Sequence, residues 1–263
     1  MSKKEMTFID HLDELRKHLF RAIIAILSLM VICFCCKNFL FQKFIFAPQS
    51  NNFLSYKVLC YLSDLISSGE ACDKDYTFEI VNLSMTGQFL MHLKVSLYAG
   101  LILSFPYVLY EAWLFIKPGL YQNEKKTSFY FLIWSSFLFL LGVLFSYFIV
   151  SPISMQFLTN YSISPEIKNT ISLESYIGFL SSLTFAGGFM FEMPVAIYFL
   201  AKAGLVTDHT LKTFRKHSII IILFISALIT PPDISSQLIL SLPLLLLYEI
   251  SIMIAKTISK EQL

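Results

Sequence analysis

IGFLSSLTFAGGFMFEMPVAIYFL, residues 177–200, carries a single ionisable side chain, Glu192, in a run otherwise free of charge. A straight crossing of a ~30 Å hydrocarbon core takes about 20 apolar residues, and this run is long enough. An ionisable group at such depth costs a few kcal/mol or more, and it rarely faces lipid. Glu192 therefore either hydrogen-bonds to a neighbouring helix inside a membrane bundle or marks a pathway or partner site.

The rest of the chain agrees with a membrane setting. Of its 263 residues, 56% are hydrophobic and 14% charged, and 26 are Phe; the mean hydropathy is +0.67. A soluble domain of that balance could not cover its own surface. The net charge of +2 does not point to nucleic acid, because no basic stripe with interleaved aromatics lies outside the membrane-flanking positions. Ala22–Cys36 has the look of a signal-peptide core, but no small-residue cleavage site follows it and further apolar runs do. The class is an all-α integral membrane protein, read as one polytopic domain over 1–263.

Apolar runs predict six transmembrane helices, at about 19–36, 95–116, 128–150, 176–201, 218–229 and 237–254. The fifth run spans roughly 18 Å at 1.5 Å per residue, and the sixth is also short. Pro231 and Pro232 end the fifth, since neither offers an N–H and both resist helical continuation. Hence the last two helices are expected to fall short of the far surface, with thinned bilayer or polar groups drawn in.

Lys and Arg set the orientation. Fourteen of them (Lys3, Lys4, Arg16, Lys17, Arg21, Lys117, Lys125, Lys126, Lys202, Lys212, Arg215, Lys216, Lys256, Lys260) flank one side of this arrangement, against six (Lys37, Lys43, Lys57, Lys74, Lys94, Lys168) on the other. Both termini are therefore expected in the cytoplasm. The larger loops, 42–94 and 151–175, then lie outside, where weakly amphipathic stretches such as 53–65 predict a cap of short helices. Cys60 and Cys72 fall in this outer region and are candidates for a disulfide, which needs an oxidising compartment. Cys33, Cys35 and Cys36 sit at the end of the first run as small apolar residues. No clustered His or second Cys pair suggests a metal, and no cofactor motif is present.

Ahead of the first run, Thr7 to Asp10 has the spacing of a capping box. Phe8, Leu12, Leu15 and Leu19 form one apolar stripe, with His11, Glu14 and His18 opposite. Residues 1–18 are expected as an amphipathic helix along the cytoplasmic interface, turning into the first span. Glu14 then sits at headgroup level. On spacing alone it pairs with Lys17 or His18, and Glu124 with Lys125 or Lys126.

The stretch His11-Leu-Asp-Glu-Leu-Arg-Lys17 resembles the opening signature of the TatC family, the signal-peptide receptor of the twin-arginine protein translocase. Similar stretches follow in order: Phe46-Ala-Pro48, residues 110–121 (YEAWLFIKPGLY) with Glu124-Lys-Lys126, Phe191-Glu-Met-Pro-Val195, and residues 230–237 (TPPDISSQ). The resemblance implies a concave, glove-like bundle in the bacterial inner membrane. It implies a non-enzymatic receptor that binds twin-arginine signal peptides and recruits TatA- and TatB-like single-span proteins. Self-association, and export of folded proteins on the proton-motive force, would go with it.

Carried over at matching positions, Glu14 and Glu124 would receive the two arginines, with Arg16, Lys17, Phe115, Pro118 and Leu120 shaping the patch. A guanidinium binds carboxylate in a bidentate fork that lysine cannot copy. Glu192 with Pro194, and Thr230 with Gln237, would meet the small subunits or the apolar part of the signal peptide. Pro48 and Tyr147 resemble scaffold positions. Asp233 belongs to the outer end of the last hairpin, where capping the sixth helix is an equally good reading. The chain departs from the family in having His18 where a second basic residue is usual, Leu83 to Phe89 before the second span, and a longer first outer loop. A proton-coupled transporter using Glu192 is the alternative, although no paired halves are visible. No hydrolase, zinc-protease or P-loop motif supports an enzyme.

Overall fold

A computed structural model of the chain describes residues 8–50, 53–57, 61, 79–117, 122–164, 169–230 and 233–261. Thr7, Cys60, Cys72, Pro118, Leu120, Pro231 and Pro232 lie outside the described residues. The described part is almost entirely helical. Its main helices are α1 (Phe8–Cys35), α2 (Gly87–Ile116), α3 (Gln122–Phe145), α4 (Ser151–Asn160), α5 (Leu173–Phe191), α6 (Met193–Lys202), α7 (Asp208–Thr213), α8 (Arg215–Ile229) and α9 (Ile234–Glu261). Among the described residues, five helical segments are long and apolar enough to cross a membrane: Leu12–Cys35, Gly87–Ile116, Tyr130–Asn160, Leu173–Lys202 and Ile234–Ser259.

Two features differ from the sequence expectation. The N-terminal amphipathic segment and the first span are one unbroken helix, α1, because nothing between Lys17 and Phe20 breaks a helix. The sixth helix is not short: α9 has 28 residues, about 42 Å at 1.5 Å per residue. It runs past its apolar stretch because Ala255 to Glu261 are mostly good helix formers. The fifth is the short one, since α8 has 15 residues, about 22 Å.

The chain divides into two compact units, Met1–Lys37 with His92–Phe137, and Asn38–Met91 with Leu138–Leu263. In the first, α1 and α2 approach closely at Gly100. A Cβ built there would sit 2.8 Å from the Met30 backbone nitrogen, so only glycine permits this crossing. Toward the end of α1, His92 stacks on Phe34 at 4.0 Å between centroids, and its Nε2 lies 3.1 Å from the Phe34 carbonyl.

The second unit has its core where Val150, Leu183, Phe191, Ile197, Ile222, Leu240, Leu244, Tyr248 and Ile252 pack together. Gly142 and Gly187 meet across α3 and α5, where a Cβ on Gly142 would come within 2.6 Å of the Gly187 carbonyl. Between α3 and α4 the helix widens into a π turn, Ser146–Val150. Pro152 follows, and it cannot donate to a carbonyl one turn back. Hydroxyls compensate: Ser55 Oγ donates to the Phe148 carbonyl, and Ser151 Oγ donates to Tyr147 O.

Tyrosines fix the segment after α1. Tyr147 Oη donates to Phe44 O at 2.6 Å, Tyr176 Oη to Ile45 O at 2.6 Å, and Tyr56 Oη to Pro48 O at 3.0 Å. Two short strands, Ile80–Val81 and Ile171–Ser172, pair in parallel, and Ser172 Oγ caps α5 by accepting from Ser175 N–H. At the opposite end of α5–α6, Gly204 adopts φ +73°. The Leu205 and Gly204 N–H groups reach back to Leu200 O and Ala201 O, a Schellman stop that favours glycine.

Candidate functional site

Within the first unit, α1 presents Glu14 and His18 one turn apart on the same face. Glu14 is half-buried, whereas Arg16 and Lys17 are exposed. The Arg16 guanidinium lies 5.6 Å from the Phe20 ring centroid, and Lys117 Nζ lies 4.7 Å from the Trp113 ring at the end of α2. Such cation–aromatic pairs suit a membrane interface.

His18 pairs with α2. Its Nδ1 lies 2.6 Å from Glu111 Oε2 on α2, and its ring meets Phe115 edge-on at 6.4 Å. The other Glu111 oxygen, Oε1, accepts from Tyr107 Oη at 2.6 Å. Glu111 is only 3% exposed. Tyr107 and Glu111 are one turn apart on α2, so one helix supplies the carboxylate and one of its donors. From α2 the chain reaches α3 within a few residues, and Glu124 lies in the first turn of α3. The Glu124 side chain lies outside the described residues.

The second unit holds the other candidates. Glu192 sits at the break between α5 and α6 with φ −75° and ψ −5°. Pro194 explains the break: it cannot donate to the Met190 carbonyl and crowds it. The Glu192 N–H turns to Phe189 O instead, and Glu192 O accepts from Val195 and Ala196 N–H. The fourth span is therefore a broken helix with the half-buried Glu192 at its joint, and the buried Pro194 is the second residue of α6.

At the α8–α9 turn, Thr230 is buried and donates from Oγ1 to Ser226 O at 2.8 Å. Gln237 on α9 donates from Nε2 to Leu223 O on α8 at 3.1 Å. Asp233 caps α9, its Oδ2 accepting from Ser236 N–H at 2.6 Å. At the other end of this hairpin, Arg215 Nη2 pairs with Glu249 Oε2 at 2.9 Å. Tyr248 Oη donates to Leu211 O and accepts from Ser218 Oγ.

Sequence reasoning gave Glu111 no role. Its signal was present, since a carboxylate inside an apolar helix with a tyrosine four residues before it asks for a partner. What the sequence lacked was the long-range pairing with His18.

Five apolar helical segments long enough to cross a membrane among the described residues, with glycine crossings between helices, define a polytopic α-helical membrane protein. The family model of the Sec-independent protein translocase protein (TatC) matches residues 10–243. A TatC protein of Blattabacterium sp. subsp. Periplaneta americana is 37% identical over 99% of this chain and 98% of its own length. The Aquifex aeolicus TatC is 37% identical over 98% of both chains. A crystal structure of the twin-arginine translocase receptor TatC superposes with a TM-score of 0.67 at 37% identity, covering 95% of this chain and 99% of that one. The chain belongs to the TatC family and is a core membrane component of the Sec-independent, twin-arginine translocase.

Proposed function

We propose that this protein is the twin-arginine signal-peptide receptor of its translocase, with Glu14 and Glu124 accepting the two arginines. The observation that carries the reading is similarity over nearly the whole chain to a protein described as the twin-arginine translocase receptor. The chemistry supports it. Guanidinium stays charged at every physiological pH and engages carboxylates bidentately, so two adjacent arginines call for two separated carboxylates. Arg16, Lys17, Phe115, Pro118 and Leu120 shape the surrounding patch.

In this reading the chain is one polytopic domain with six spans and both termini in the cytoplasm, and both carboxylates lie on the cytoplasmic side. The protein catalyses no reaction of its own. It works in a complex with TatA- and TatB-like single-span proteins and further copies of itself, on the proton-motive force. Glu192 with Pro194, and Thr230 with Gln237, contact those partners or the apolar part of the signal peptide. Pro48 and Tyr147 hold the scaffold.

Export in cells tests the whole proposal. In a strain whose own TatC is deleted, supplied with this chain and matching small subunits, a folded reporter behind a twin-arginine signal should leave the cytoplasm. Glu14→Gln and Glu124→Gln should each reduce export about tenfold or more, the scale of one lost charge-assisted contact. Export undiminished in both variants would overturn the assignment of these carboxylates.

A further inference from the structure

We propose that Glu111 is the positioning carboxylate of the twin-arginine site: held by His18 and Tyr107, it sets the rotation of α1 and so the direction in which Glu14 points. The inference rests on the receptor reading of Glu14.

Three observations lead to it. First, α1 has little packing to fix its rotation, since only 11% of its most apolar window is buried within the protein. A helix so largely exposed to lipid needs directional contacts to hold one face toward its neighbour. The Gly100 crossing holds its middle and His92 holds its C-terminal part. At the Glu14 end, the His18–Glu111 contact at 2.6 Å joins α1 to α2.

Second, burying a carboxylate with a histidine gains little stability over an apolar pair of the same volume, and its best-attested use is to specify geometry. Both Glu111 oxygens are engaged, one by each donor, so the carboxylate is fixed in direction. His18 must meet it at one rotation of α1.

Third, His18 and Glu14 are four residues apart on one helix and differ by only about 40° around its axis. A turn of α1 that released His18 would swing Glu14 by the same angle.

Glu111 therefore acts through Glu14, and this predicts non-additivity rather than simple weakening. The test is a double-mutant cycle on the full chain in nanodiscs, read as affinity for a synthetic twin-arginine signal peptide. Glu111→Gln should weaken binding about tenfold, the size of one lost charge-assisted contact. In a Glu14→Gln background the same change should have almost no further effect, because coupled groups do not add. His18→Leu should behave like Glu111→Gln. His18→Arg, which keeps an N–H donor against Glu111, should bind within about twofold of the wild type, the residual allowed for an altered fork geometry. If Glu111→Gln does not fold, Tyr107→Phe removes one of the two donors and should show a smaller loss with the same non-additivity. Equal losses in both backgrounds, wild-type binding by the Glu111 and Tyr107 variants, or failure of His18→Arg to rescue would overturn the proposal. Unchanged binding in Glu14→Gln alone would instead remove the assignment of Glu14 on which the inference rests.

Discussion

At the scale of single residues, Glu192 and Glu111 are two carboxylates set into largely apolar helices, the first at a break and the second inside α2. Glu192 occupies the joint that Pro194 creates. In the proposed function, a partner or peptide helix passing this point would meet the polar head of Glu192. The account requires the polarity of Glu192 and not its negative charge, since a charge there costs a few kcal/mol. Glu192→Gln should keep export near the wild-type level, and Glu192→Leu should abolish it, as read with the same folded reporter. Equal loss in both would sink this account of Glu192. Ser55 makes a purely structural counterpart. Its hydroxyl satisfies the Phe148 carbonyl that Pro152 leaves open, so Ser55→Ala should cost about 1–3 kcal/mol. That loss would be measured by unfolding in detergent, with signal-peptide binding unaffected in the folded fraction.

Elements meet where side chains are smallest. Gly142 faces Gly187 across α3 and α5, and Gly188 faces Phe139 and Val143. Small residues allow helices in lipid to approach until backbone and side chains interlock. Gly142→Leu should therefore destabilise the second unit by more than the ~1–3 kcal/mol typical of overpacking, visible as a lowered unfolding midpoint and lost expression. Asp233→Ala should be milder, about 1 kcal/mol for one lost N-cap.

The helices were legible in the sequence because apolar runs and prolines are local signals. Glu192 stood out for the same reason, as one charge against a uniform background. Three features were not legible. Residues 8–35 form one helix, because an amphipathic segment and an apolar span are distinguished by hydropathy while backbone continuity ignores it. The length of α9 was underestimated, because helix propensity continues beyond the apolar run that marks the membrane. The Glu111–His18 pair joins residues 93 positions apart, and only folding brings them together.

At the scale of the whole molecule, the distribution of Lys and Arg predicts both termini in the cytoplasm. A reporter fused after residue 263 should be active only as a cytoplasmic fusion, and one inserted near residue 163 only as an exported one. The reverse pattern would place Glu14 and Glu124 on the wrong side for an incoming precursor. In the proposed receptor, α1 and α3 would carry the two carboxylates, and guanidinium chemistry would give the selectivity. Direct binding of a twin-arginine signal peptide to the purified chain in nanodiscs, set against a twin-lysine version, tests it most sharply. The account predicts tight binding that falls at least tenfold on the lysine change, as expected when a bidentate fork is lost, and that collapses in Glu14→Gln and in Glu124→Gln. Equal affinity for both peptides, or undiminished binding in both variants, would contradict it.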